Sequence, residues 1–100
     1  MQIRILVVGR HPEIMETVLR LLASQPGWSA EGARTDEEAM DKFRSAHFDL
    51  VLIGGGVAPA SEDRLRADFM QLRPDVKMVR HYGGGSGLLF NEVRQALALE

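Results

Sequence analysis

The sequence predicts an α/β domain in which helices cover both faces of a four-stranded parallel sheet. Three observations predict it. Two runs of apolar and β-branched residues, Ile3 to Val8 and Phe48 to Ile53, read as strands buried on both faces. Two weaker runs, Trp28 to Ala33 and Val76 to Val79, read as further strands. Segments of helical period follow each of the four, so the order is β-α-β-α-β-α-β-α.

Each element has its own local signals. After the first strand, Pro12 suits the first turn of a helix, and Glu13 and Glu16 complement the helix dipole near its start. That helix carries Ile14, Met15, Val18, Leu19 and Leu22 at helical spacing, and Gln25-Pro-Gly27 ends it. Thr35-Asp-Glu-Glu38 is a capping box opening a second helix that faces inward with Ala39, Met40, Phe43 and Ala46. Ser61 is expected to cap the third helix, with Leu65, Phe69 and Leu72 inward and Arg73-Pro-Asp75 ending it. The last helix follows the Tyr82 to Gly87 loop and carries Leu88, Leu89, Val93, Ala96 and Leu97. Trp28 is placed at the sheet edge and His47 on the surface. Right-handed crossovers leave few topologies. The expected strand order is 2-1-3-4, a three-layer α/β/α, flavodoxin-like arrangement without its fifth strand.

Composition narrows the function. One hundred residues make one domain, spanning 1–100. The chain has no cysteine, which excludes disulfides, thiolate metal sites and a cysteine nucleophile. The formal charge is −2, which gives no footprint for nucleic acid or an anionic membrane. No run reaches the roughly 18 apolar residues of a membrane helix, and no signal peptide is visible, so a cytoplasmic location is expected. The three histidines are scattered, so no metal site and no cofactor are expected.

Open parallel sheets bind ligands beyond the carboxyl ends of their strands, at the switch point. Here that edge carries Gly9, Arg10 and His11 after strand one and Gly54, Gly55 and Gly56 after strand three. Arg80, His81 and the loop Gly83, Gly84, Gly85, Ser86, Gly87 follow strand four. The edge is rich in glycine and cations, with no carboxylate until Glu13. Backbone N–H groups at a glycine-rich turn that opens a helix favour an anion, so Arg10, His11, Gly55, Gly56, Arg80, His81 and Gly83–Gly87 are candidates for anion binding. The loop matches neither the Walker A nor the Rossmann pattern.

These residues carry a resemblance. Ile5-Leu-Val-Val-Gly-Arg-His-Pro-Glu-Ile-Met-Glu-Thr-Val-Leu-Arg-Leu-Leu22 resembles the start of a response-regulator receiver (CheY-like) domain, where a hydrophobic strand leads through Asp-Asp-His-Pro into a helix. Asp49-Leu-Val-Leu-Ile-Gly54 resembles that family's third strand, whose last residue is the phosphoryl-accepting Asp. Arg73-Pro-Asp-Val-Lys-Met-Val79 resembles the approach to its fourth strand. The resemblance implies where the family's chemistry would fall. The metal-binding acids fall on Gly9 and Arg10, the phosphoryl acceptor on Gly54, and the hydroxyl-bearing residue near Arg80 or His81. The fifth strand, its preceding Lys and one helix have no counterpart. Carboxylate phosphorylation needs a nucleophile and a hard cation held by oxygen ligands.

The expectation is therefore a shortened pseudo-receiver that is not phosphorylated, is not an enzyme, and acts as a protein-interaction module in bacterial signalling. Its partner would be a signalling protein, or a second copy through the strand-four edge, with Lys77 and Arg80 only partly protecting that edge. Two alternatives stay open. One is a small phosphate- or nucleotide-binding domain using the glycine-rich strand ends. The other is a phosphocarrier with His11 as acceptor, similar to the IIB subunits of the sugar phosphotransferase system.

Overall fold

The computed structural model describes residues 2–81 and 86–98. The elements are β1 (Ile3–Val8), α1 (Pro12–Ala23), β2 (Trp28–Ala33), α2 (Asp36–Ser45), β3 (Leu50–Gly54), α3 (Pro59–Leu72), β4 (Lys77–His81) and α4 (Ser86–Ala96). All three strand pairings are parallel and the order is β2-β1-β3-β4, as the sequence predicts.

Side chains alternate across the sheet and divide the core in two. Leu6 and Val8 of β1 join Val51 and Ile53 of β3 against Phe43 of α2 and Phe69 of α3. The two phenyl rings pack 4.3 Å apart between centroids, tilted by 30°. On the other face, Ile5 and Val7 join Leu50 and Leu52 against Val18 of α1 and Val93 of α4. Each fully buried large apolar side chain contributes about 1.5–3 kcal/mol. The two-sided burial of β1 and β3 explains their continuous apolar runs.

Local chemistry sets the element ends. The Thr35 hydroxyl accepts from the Glu38 N–H at 3.0 Å, and the Glu38 carboxylate accepts from the Arg34 N–H at 2.8 Å, as a capping box requires. Gly27 takes φ 80° between α1 and β2, a conformation that favours glycine. Gly32 lets α1 approach β2, because a Cβ there would sit 2.4 Å from the Met15 Sδ.

Several expected details are corrected. The third helix starts two residues before Ser61, with Pro59 in its first turn and Ala58 at its N-cap without a side-chain bond. Proline's fixed φ opens the helix there without a hydroxyl. Leu72 is exposed rather than inward, and Ile14 and Leu88 are exposed as well. The buried stripe of α1 is Met15, Val18 and Leu22, and Ile14 is rotated off it. Leu72 and Leu88 lie in terminal helical turns, where fewer sheet residues are in reach. Strand three begins at Leu50 rather than Phe48, although Phe48 is buried. Strand four runs Lys77–His81, one residue later at its start and two at its end.

The last helix takes an informative side. The crossovers of α2 and α3 lie on one face, and α1 on the other. A right-handed crossover from β4 to a strand beyond it would put its helix on the α2/α3 face. α4 instead packs on the α1 face, with Leu89 and Val93 buried there. It is a cover for the sheet, not a crossover. β4 is an outer strand of the sheet, and among the described residues nothing pairs with its far side. No helix among the described residues is long and apolar enough to cross a membrane.

Candidate functional site

The carboxyl edge of the sheet brings the strand-end residues together. Val8 pairs with Ile53, so Gly9 and Gly54 follow as neighbours. A Cβ on Gly54 would lie 3.6 Å from the Gly9 Cα and 3.3 Å from the Val8 carbonyl oxygen. Gly54 in turn pairs with His81. Neither glycine offers a side-chain oxygen, so the residues at these strand ends do not fit a hard cation held by side-chain carboxylates.

The cations at this edge are engaged. Arg10 turns towards α2, donating to the Arg34 carbonyl at 3.0 Å and to the Asp36 carboxylate at 2.5 Å. That bond from Arg10 holds the Asp36 carboxyl below its usual range, and the Ser61 hydroxyl adds to the effect while burial opposes it. Arg80 turns towards α3. Its guanidinium bonds the Glu62 carboxylate, the Gly55 carbonyl at 3.2 Å and the Val57 carbonyl at 3.0 Å, and so pins the β3–α3 connection. Burial pushes the Glu62 carboxyl up, but bonds from Arg66 and Arg80 outweigh it and hold the group below the carboxylate range. His81 faces the opposite side of the sheet, and its Nδ1 lies 2.6 Å from the Glu92 carboxylate of α4.

The other candidates are more dispersed. His11 is the N-cap of α1, its Nδ1 accepting from the Ile14 N–H at 3.4 Å. Gly55 and Gly56 are exposed, and a Cβ on Gly56 would meet only the Arg10 Cβ at 3.7 Å and Cγ at 4.0 Å. Gly87 is exposed in the first turn of α4. Gly83, Gly84, Gly85 and the Ser86 side chain lie outside the described residues. His47 is exposed beside Asp49 at the opposite edge of the sheet, and Trp28 packs edge-on against Phe90 with 6.1 Å between ring centroids.

Sequence reasoning missed the carboxylates. Asp36, Glu62 and Glu92 come from α2, α3 and α4; Glu62 and Glu92 lie on the helices before and after β4, whereas α1 and β2 separate Asp36 from Arg10. One signal was available: Glu62 and Arg66 are four apart on one helix. It also missed a cleft of about 890 Å³ on the α1/α4 face, running from Gly9 and Gly54 along α1 to Leu21.

The sequence matches no protein-family model and no curated protein. Solved structures match over nearly the whole chain. A response regulator receiver domain protein (CheY-like) from Methanospirillum hungatei JF-1 superposes with TM-score 0.82 at 21% identity, covering 98% of this chain and 95% of that one. A chain from the complex of histidine kinase ThkA with response regulator protein TrrA gives TM-score 0.74 at 26% identity, covering 97% and 99%. TrrA from Thermotoga maritima in complex with Mg(2+)-BeF gives TM-score 0.68 at 28% identity, covering 96% and 81%. The strand order, the crossover pattern and these superpositions agree: the chain has the fold of a CheY-like response-regulator receiver domain.

Proposed function

We propose that this receiver-like domain takes no phosphoryl group and works by docking a protein partner. The carrying observation is the strand-end set Gly9, Arg10 and Gly54. Two of the three have no side chain to ligate or attack, and the third is a cation bonded to Asp36. A structure of TrrA is in complex with Mg(2+)-BeF. Gly9, Arg10 and Gly54 offer neither the nucleophile nor the side-chain oxygen ligands that phosphorylation of a carboxylate needs. The anion-binding reading is less well supported, because Arg10, Arg80 and His81 are each matched with a carboxylate.

The docking surface we favour is the outer edge of β4 with the flanking faces of α3 and α4. An unpaired strand edge offers a row of backbone donors and acceptors for strand addition. ThkA with TrrA is a precedent for a protein partner in this fold. A second copy of this chain is one such partner, joined edge to edge.

The test is a titration of the isotope-labelled domain with Mg²⁺ and beryllofluoride, followed by amide resonances. The expected result is no saturable shift at the ends of β1 and β3. A saturable shift at Gly9 and Gly54 that requires both reagents overturns the reading. Sedimentation velocity across a wide concentration range then separates a second copy from another protein as partner.

A further inference from the structure

We propose that the cleft between α1 and α4 binds a small hydroxylated hydrophobic molecule, with its apolar body against α1 and its hydroxyl on His81. The proposal goes beyond partner docking: the cleft lies between α1 and α4, and α4 is the one helix it shares with the proposed docking surface.

The size comes first. Ligand sites typically measure about 300–1,000 Å³. This cleft measures about 890 Å³ and follows α1 from Pro12 to Leu21. A drug-sized molecule fits within that volume.

The lining sets the chemistry. The floor is Val7 of β1 and Leu52 of β3, and the walls are Val18 and Leu21 of α1 and Leu89 of α4. Arg10 reaches the rim, but its charge is spent on Asp36 on the opposite face. The cleft opens where Gly9 and Gly54 continue the rows that carry Val7 and Leu52. Side chains at these two positions would project from the same face. Their absence makes the room.

Five side chains of the lining are polar: Arg10, His11, Glu13, Thr17 and His81; His11, Glu13 and Thr17 are exposed to solvent, and His81 is the most buried of the five. The His81 ring lines the cleft and is only 11% exposed. Its Nδ1 is fixed by Glu92, and its Nε2 has no partner among the described residues. Nε2 accepts in a neutral ring and donates in a charged one, and a hydroxyl can answer either role. The matching ligand group is a hydroxyl on an apolar body, such as a phenol.

Thymol and p-cymene test this, because they differ only by the hydroxyl. Each is titrated into the isotope-labelled domain while amide shifts are followed. The expected result is saturable shifts along α1 and at Gly54, His81 and Leu89. Thymol should bind about fivefold more tightly, the worth of one hydrogen bond. His81→Phe should keep the apolar site and abolish the difference. Ile14→Glu, at an exposed position on the cleft wall, should weaken both probes about fivefold without unfolding the domain. Met70→Glu, exposed on α3, should change neither. Any of three results overturns the proposal: no saturable shift in the wild type, shifts centred on α2 and α3, or equal affinity for the two probes. Shifts in the cleft that follow protein concentration without a probe would assign it to a second copy and overturn the proposal as well.

Discussion

Removing the Arg10 guanidinium should destabilise the domain by about 1–2 kcal/mol at neutral pH, and most of that loss should be coupled to Asp36. The figure follows from where the pair sits. Exposed ion pairs contribute about 0.2–1 kcal/mol, and stripping one partner from a fully buried pair costs about 3–5 kcal/mol. Arg10 and Asp36 lie between these limits, with side chains 32% and 26% exposed. Arg10→Ala also removes the donor to the Arg34 carbonyl, which water replaces in part. The assay is urea unfolding of the wild type, Arg10→Ala, Asp36→Ala and the double variant, with m-values checked for constancy. The expected coupling energy is about 1 kcal/mol. Its pH dependence has a definite sign. The Asp36 carboxyl is lowered in the folded state from an ordinary value of 3.8. Its contribution is therefore complete above that value and is lost as pH falls through the folded pKa. A coupling below about 0.3 kcal/mol at neutral pH refutes the reasoning. A coupling that persists undiminished in strong acid refutes it too. The first result returns the Arg10 charge to the strand end and favours the anion-binding alternative; the second assigns the coupling to contacts other than the charge on Asp36.

Two further outcomes follow from the packing and the second carboxylate. Gly32→Ala places a Cβ 2.4 Å from the Met15 Sδ and 3.1 Å from the Leu19 Cδ1, so it should destabilise by about 1–3 kcal/mol in urea unfolding. The additional change Met15→Ala should offset part of that loss. Glu62→Gln removes the charge shared by Arg66 and Arg80, and should cost about 1–2 kcal/mol at neutral pH. Because the folded Glu62 pKa is lowered, the difference from wild type should shrink as pH falls through it, read from paired unfolding curves.

The sequence specifies the sheet well, for a physical reason. β1 and β3 are central strands buried on both faces, and only uninterrupted apolar runs satisfy that environment. Local signals also fix the helix ends where a side chain caps, as Thr35 does for α2. They mislead where backbone geometry acts instead, as Pro59 does for α3. The α1 face held by α4 was not legible, because helical periodicity states which side of a helix is apolar and not which face of the sheet receives it. The site divides in the same way. The glycines and cations of the strand ends are adjacent to strands in sequence and can be placed by counting. Asp36, Glu62 and Glu92 meet those cations only through tertiary packing, across sequence separations of 26, 18 and 11.

Those pairings bear on how such a domain would work. An element that switches needs two arrangements within a few kcal/mol of each other, with a ligand that favours one. Here the two connections nearest the strand ends are each tied to a helix on the same face. Arg10 ties the β1–α1 connection to α2, and Arg80 of β4 holds the β3–α3 connection by its Gly55 and Val57 carbonyls and holds α3 by Glu62. Moving either connection would strand a half-buried carboxylate without its cation, a penalty of about 1–3 kcal/mol or more for each. Arg10 therefore supplies Asp36 with a fixed internal counter-ion. A domain built this way is suited to present one surface constantly. Control of its docking would then come from the amount of partner present, or from occupancy of the α1/α4 cleft, where no ion pair crosses from wall to wall between α1 and α4 among the described residues.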